Sequence, residues 1–130
     1  MKLHHVGIAV ADLDESIRLY TEVFGATLVD RRRNEKEGLE AAFLRAGEAE
    51  LELMAPLRDD SPVGKFVAKR GPGMHHVAFG VGDIDRAISE ARAAGLEMID
   101  AEPRIGMHGV RIAFIHPKSA GGVLTELVET

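Results

Sequence analysis

The chain has 130 residues, a net charge of −5 and no cysteine, which is the length of one compact domain and excludes a disulfide framework or a thiolate metal site. The acidic balance lacks the basic footprint of a nucleic-acid binder, and with no Trp and one Tyr the chain offers no platform for stacking bases. No apolar run reaches the ~20 residues of a membrane span and the first residues lack a signal-peptide layout, so a soluble cytoplasmic protein is expected.

Residues 3–10 are apolar and rich in β-branched side chains, which predicts a mostly buried strand. Asp12, with Glu15 three residues on, is placed to cap a helix. The apolar face of that helix would be Ile17, Leu19, Tyr20, Val23 and Phe24, with Gly25 as its stop. A second strand is expected over 26–33, ending in Arg31-Arg32-Arg33, followed by a charged turn over 34–38. Strands over 39–44 and 49–54 would be joined by Arg45-Ala46-Gly47-Glu48. Ser61-Pro62 opens a short connector helix with Val63, Phe66 and Val67 inward, stopped at Gly71-Pro72-Gly73. A strand over 75–81 follows. Asp83 then caps a helix whose apolar face is Ile84, Ala87, Ile88 and Ala91, ended by Gly95. Strands over 96–100, 110–115 and 123–128 complete the chain. The loop His116-Pro117-Lys118-Ser119-Ala120-Gly121-Gly122 joins the last two and is about three residues longer than its counterpart at 45–48.

The second half of this order repeats the first. His4, His5, Val6, Val10, Asp12, Asp14 and Ile17 recur 71 positions later as His75, His76, Val77, Val81, Asp83, Asp85 and Ile88. A period that long, present twice, is a duplicated module rather than a solenoid. The expected fold is α+β: two tandem βαβββ modules forming a curved mixed sheet around a metal-binding cleft, with the helices outside. The whole chain reads as a single domain over 1–130, with module one at about 3–56, a connector helix at about 57–73 and module two at about 74–130.

The duplication singles out a constellation. His5 has its twin in His76. Leu51-Glu52-Leu53 has its twin in Thr125-Glu126-Leu127. A charged residue between apolar ones in a strand lies on the opposite face from its neighbours, so Glu52 and Glu126 would face the cleft. Two imidazoles and two carboxylates make a mixed N/O site for a divalent metal. His4 and His75 would point the other way. His108 and His116 fall in loops.

The stretches His4-His5-Val6-Gly7-Ile8-Ala9-Val10, Leu51 to Leu57, Gly73 to Phe79, Glu102-Pro103-Arg104-Ile105-Gly106 and His116 to Leu127 resemble the vicinal oxygen chelate superfamily. Within it, the likeness to the methylmalonyl-CoA epimerase family covers nearly the whole chain. The resemblance implies the glyoxalase-like fold and epimerisation of (2R)- and (2S)-methylmalonyl-CoA by proton transfer at C2 through a metal-stabilised enolate. It places the metal on His5, Glu52, His76 and Glu126, with Co2+ first and Zn2+, Mn2+ or Ni2+ as alternatives, and it implies a homodimer. Glu52 stands where some members carry Gln. Glu126 is the acid/base it supports. The place of a second acid/base in some members is Ala41 here, and strand alternation turns the neighbouring Glu40 to the other face, which leaves a bound water, Glu52 or a loop residue for that role.

A CoA thioester is polyanionic, so the acidic chain must bring local cations to it. Arg31 to Arg33, Lys65, Lys69, Arg70, Arg104 and Lys118 are candidates, with Arg104 and Lys118 favoured for substrate binding. Two other functions remain open. A glyoxalase I-type lyase would use the same four ligands. A non-catalytic ligand-binding protein of the superfamily would have no need to keep all four.

Overall fold

The computed structural model describes residues 1–130, and its order of strands and helices follows the sequence expectation with two departures. His5–His75 form one compact unit, and Met1–His4 together with His76–Thr130 form the other. No helix is long and apolar enough to cross a membrane.

The first unit contains β1 (Lys2–Ala9, from His5 on), α1 (Leu13–Arg18), β2 (Thr27–Asn34), β3 (Leu39–Ala46), β4 (Ala49–Pro56) and α2 (Pro62–Arg70). Its strands run in the order β2-β3-β4-β1, with β1 parallel to β4 and the other pairs antiparallel. The parallel pair needs a long crossover, which α1 and the strands after it provide. Asp12 caps α1 by accepting from Glu15 N–H at 3.0 Å, and Ser61 caps α2 by accepting from Gly64 N–H at 3.0 Å. The hairpin between β3 and β4 closes on Gly47 at φ 62°, a conformation that favours glycine. The core holds Leu13, Ala42, Leu44, Leu53 and Ala55, with Ile17 and Tyr20 packed on it. Leu44 and Leu53 are fully buried, and each contributes about 1.5–3 kcal/mol through the apolar area it removes from water.

The first departure lies here. The chain does not continue α1 past Arg18 but widens into a π-helical turn over Leu19–Val23. Wider turns break the 3.6-residue spacing on which the apolar face was drawn. Ile17 and Tyr20 stay on the core, whereas Leu19, Val23 and Phe24 rotate out into solvent.

The second unit contains β5 (Gly73–Val81, from His76 on), α3 (Ile84–Ala93), β6 (Arg104–Ile105), β7 (Arg111–Ile115) and β8 (Thr125–Glu129). The order is β5-β8-β7-β6, with β5 parallel to β8 and the others antiparallel, the same plan as the first unit. Asp83 caps α3 through Arg86 N–H at 3.0 Å. Ile84, Ala87 and Ile88 bury against Ala113, Ile115 and Leu127.

The second departure is the strand expected over 96–100. Only an isolated bridge, Met98 to Ile115, forms there, and regular pairing with β7 begins at Arg104. Two backbone bonds, Ile99 N–H to Phe114 O and His116 N–H to Glu97 O, hold the segment beside β7. The Asp100 carboxylate then accepts from Phe114 N–H at 2.8 Å. A side chain thus fills a place in the ladder that a backbone carbonyl would take in a continuous strand. Pro103, which has no N–H, lies in the same gap.

Candidate functional site

Register decides which side chains share a face. In the first unit Gly7 lies beside Glu52 and Phe43 lies opposite it. Alternation then puts His5, Ala41, Phe43 and Glu52 on one face, and Leu53, Ala42 and Leu44 on the helix-covered face. His5 is 1% and Glu52 3% exposed. Their nearest atoms, His5 Nε2 and Glu52 Oε1, are 3.3 Å apart.

The second unit repeats this arrangement. Ala78 lies beside Glu126 and Phe114 opposite it, so His76, Phe114 and Glu126 share a face. His76 and Glu126 are buried as well, with His76 Nε2 and Glu126 Oε1 3.8 Å apart. The Phe114 ring meets the His76 imidazole edge to face, with centroids 5.6 Å apart, a geometry that helps fix the imidazole's orientation.

Four ionisable groups on these strands are buried where leucine and alanine are the rule, which carries a desolvation cost unless they are paired or bind a cation. The donor chemistry fits a divalent ion. Imidazole nitrogen and carboxylate oxygen at about 2.1 Å from an ion stand roughly 3.0–3.4 Å apart at octahedral and tetrahedral angles. The 3.3 Å pair meets that spacing as it stands. The 3.8 Å pair needs a closure of a few tenths of an ångström.

Other candidates fall elsewhere. Ala41, on the Glu52 face, is fully buried and carries no proton. Glu40 turns to the opposite face and accepts from Arg31 Nε at 3.1 Å. Lys118 pairs with Glu97 at 2.6 Å, both side chains more than half exposed. Arg104 lies on the Glu126 face, since its partner Ile112 shares that face with Phe114. Its Nε donates to Asp100 at 3.0 Å, and its guanidinium sits 5.7 Å from the Phe114 ring centroid. His4 contacts His108 edge to face at 5.1 Å, and His75 contacts Phe66 at 4.8 Å. His116 caps its own loop, accepting from Lys118 N–H at 3.1 Å. A cavity of about 370 Å³ at the start of α3, lined by Asp83, Arg86 and Glu90 among others, includes none of the candidate residues.

The two phenylalanines are what reading the sequence missed. The 71-residue offset continues past the histidines, through Ala42-Phe43 and Ala113-Phe114. It breaks only at the longer final loop, which moves the glutamate pair to an offset of 74. Carried that far, the repeat would have placed a ring opposite each glutamate.

Comparison with known proteins agrees with this architecture. Residues 4–114 match the Glyoxalase/Bleomycin resistance protein/Dioxygenase superfamily. The mitochondrial methylmalonyl-CoA epimerase of Dictyostelium discoideum is 40% identical over 98% of this chain and 78% of its own length. A crystal structure of methylmalonyl-CoA epimerase from Mycobacterium tuberculosis superposes with a TM-score of 0.93 at 45% identity, covering 98% of this chain and 87% of that one. A methylmalonyl-CoA epimerase solved in complex with methylmalonyl-CoA and NH4+ superposes at 0.94 with 40% identity, covering 99% and 94%. The α+β class and the glyoxalase-like fold are therefore as the sequence led one to expect, and the chain belongs to the glyoxalase/bleomycin resistance protein/dioxygenase superfamily and, within it, to the methylmalonyl-CoA epimerase family.

Proposed function

We infer that this chain is an enzyme that interconverts the C2 epimers of methylmalonyl-CoA. The observation that carries the reading is the repeated buried His–Glu pair, one in each unit, on a sheet face turned away from the helices. His5, Glu52, His76 and Glu126 together hold one divalent ion, and the two units act as a single domain over residues 1–130. The duplication and the family membership support that joint use. Co2+ is the ion of choice, with Zn2+, Mn2+ and Ni2+ suited to the same nitrogen and oxygen donors. When bound, such an ion supplies Lewis acidity to carbonyl and carboxylate oxygens.

The residues divide the remaining work. Glu126 takes the C2 proton of one epimer through a carboxylate oxygen and, in the reverse reaction, returns a proton to that same face. Ala41 has none to give and Glu40 points to the other face. Of a bound water, Glu52 and a loop residue, a water donates the proton on the opposite face, and the hydroxide it leaves takes up, through solvent, the proton that Glu126 releases. Phe114 fixes the His76 ring. Arg104 and Lys118 supply positive charge to the substrate, Lys118 by leaving Glu97. Leu19, Val23, Phe24, Leu28 and Val29 are each exposed, and so many large apolar side chains open to solvent in one segment support a homodimer. A cytoplasmic location goes with a cysteine-free chain. The Dictyostelium relative is named as mitochondrial.

The test is isotopic. Chelated protein reloaded with Co2+ is given (2S)-methylmalonyl-CoA in D2O, and C2 is followed by NMR. Deuterium should enter at C2 and the (2R) epimer should appear. Folded, metal-loaded protein that leaves C2 protonated would overturn the reading.

A further inference from the structure

Each unit carries an arginine seated on the phenylalanine that faces its glutamate. Arg32 lies 5.9 Å from the Phe43 ring centroid with its Nε on Asp30 at 2.8 Å. Arg104 lies 5.7 Å from the Phe114 centroid with its Nε on Asp100 at 3.0 Å. The two differ in how firmly they are held. The Asp30 side chain is 45% exposed, and an exposed pair of that kind fixes little. The Asp100 side chain is 16% exposed and is itself anchored by Phe114 N–H. Arg104 is therefore held by a mostly buried carboxylate, on a ring that touches the His76 imidazole.

We propose that Arg104 reads the carboxylate of the acyl group and so selects malonyl-type over simple acyl-CoA thioesters. This rests on the epimerase reading above. A planar guanidinium is suited to a carboxylate, which it can meet with two parallel N–H bonds. Position decides which anion of the substrate it meets. The CoA phosphates lie at the far end of the pantetheine arm, whereas Arg104 is one aromatic ring from a histidine of the reacting site. Stacking on Phe114 and the bond to Asp100 settle the guanidinium's plane before substrate arrives, which lowers the ordering cost of binding.

The test compares two ligands that differ only near the acyl end. Binding of malonyl-CoA and propionyl-CoA to Co2+-loaded protein is measured by calorimetry for the parent chain, Arg104→Gln, Arg104→Lys and Arg86→Gln. Arg86 lies on α3, pairs with Glu90 and controls for loss of one positive charge. Arg104→Gln should weaken malonyl-CoA at least tenfold and move propionyl-CoA less than twofold. Arg104→Lys should recover part of the loss, and Arg86→Gln should change neither ligand. Equal weakening of both ligands by Arg104→Gln, or of neither, overturns the proposal, as does a parent chain that does not prefer malonyl-CoA. Failure of C2 exchange in the parent chain would instead overturn the epimerase reading, so the two failures are distinct.

Discussion

The two units tie helix to sheet with the same hydrogen bonds and different residues. In the first, Arg31 on β2 donates from Nε and Nη2 to Glu40 and from Nη1 to Asp14 at the start of α1. In the second, Arg111 donates from Nε and Nη2 to Glu129 and from Nη1 to Asp85 at the start of α3. Asp14 and Asp85 are duplication partners. The arginines are not, because Arg111 occupies the twin position of Glu40. The reason is the outer strand. β2 has eight residues and can carry an arginine beside α1, whereas β6 has two. The twin position of Arg31 is Glu102, which precedes β6, so the cation sits one strand inward on β7, opposite Ile105, and its carboxylate lies on β8. The divergence has kept the bonding pattern and exchanged the side chains. The His–Glu pairs on the inner strands kept both.

That contrast is broken most forcefully at the glutamates. If Glu126 is both ligand and proton carrier and Glu52 a ligand only, the twins are structurally equivalent and chemically unequal. Glu126→Ala should then lower C2 exchange by about 10²–10⁴-fold, the range for losing a general acid/base, and should lose the metal by elemental analysis. Glu52→Gln retains an oxygen donor and should keep both the ion and most of the exchange. Equal losses from the two substitutions would show that the pairs are interchangeable.

At the core the twins should behave alike. Leu53 and Leu127 follow the two glutamates, face the helices and are both essentially buried. Truncating either to alanine should cost about 2–5 kcal/mol by chemical denaturation, since each leaves a cavity in a sheet–helix interface. A much smaller cost at one of them would show that its unit repacks more readily than the other.

How much of this the sequence discloses depends on whether a feature is local. The caps at Asp12, Ser61 and Asp83, the glycine at the hairpin and the stop at Gly95 are set by residues within a turn of one another, and they were readable. The His–Glu pairs are distant in sequence, yet the duplication made them readable, because a repeat carries information about faces that no single strand does. The π-helical turn at Leu19–Val23 was not readable. No residue there carries a local signal for a wide turn, and the turn coincides with Tyr20 packing on the core, a contact distant in sequence. Nor was the break in the strand after Gly95, since it depends on Asp100 reaching Phe114, fourteen residues away. Arg104 could be named as a cation, but its seat on Phe114 follows from that same break, which sets the register in which β6 resumes.

The gentlest test of the comparison is acid. Glu129 is held below the ordinary carboxylate value of 4.5, chiefly by the side-chain bonds from Arg111, with Ile84 N–H adding to them. A carboxylate whose folded value is depressed contributes stability that is fully present above its unfolded value. That contribution is lost as pH falls through the folded one. The tether of the second unit should therefore be intact at neutral pH and weaken below about pH 4.5. Glu129→Gln removes the titrating group, so its melting temperature should lie below the parent's at pH 7 and the gap should close as the solution is acidified. Partial exposure of both side chains limits the size of the effect. A gap that stayed constant from pH 7 to pH 3 would mean that Glu129 acts through packing rather than charge, and the likeness between the two tethers would then be one of shape alone.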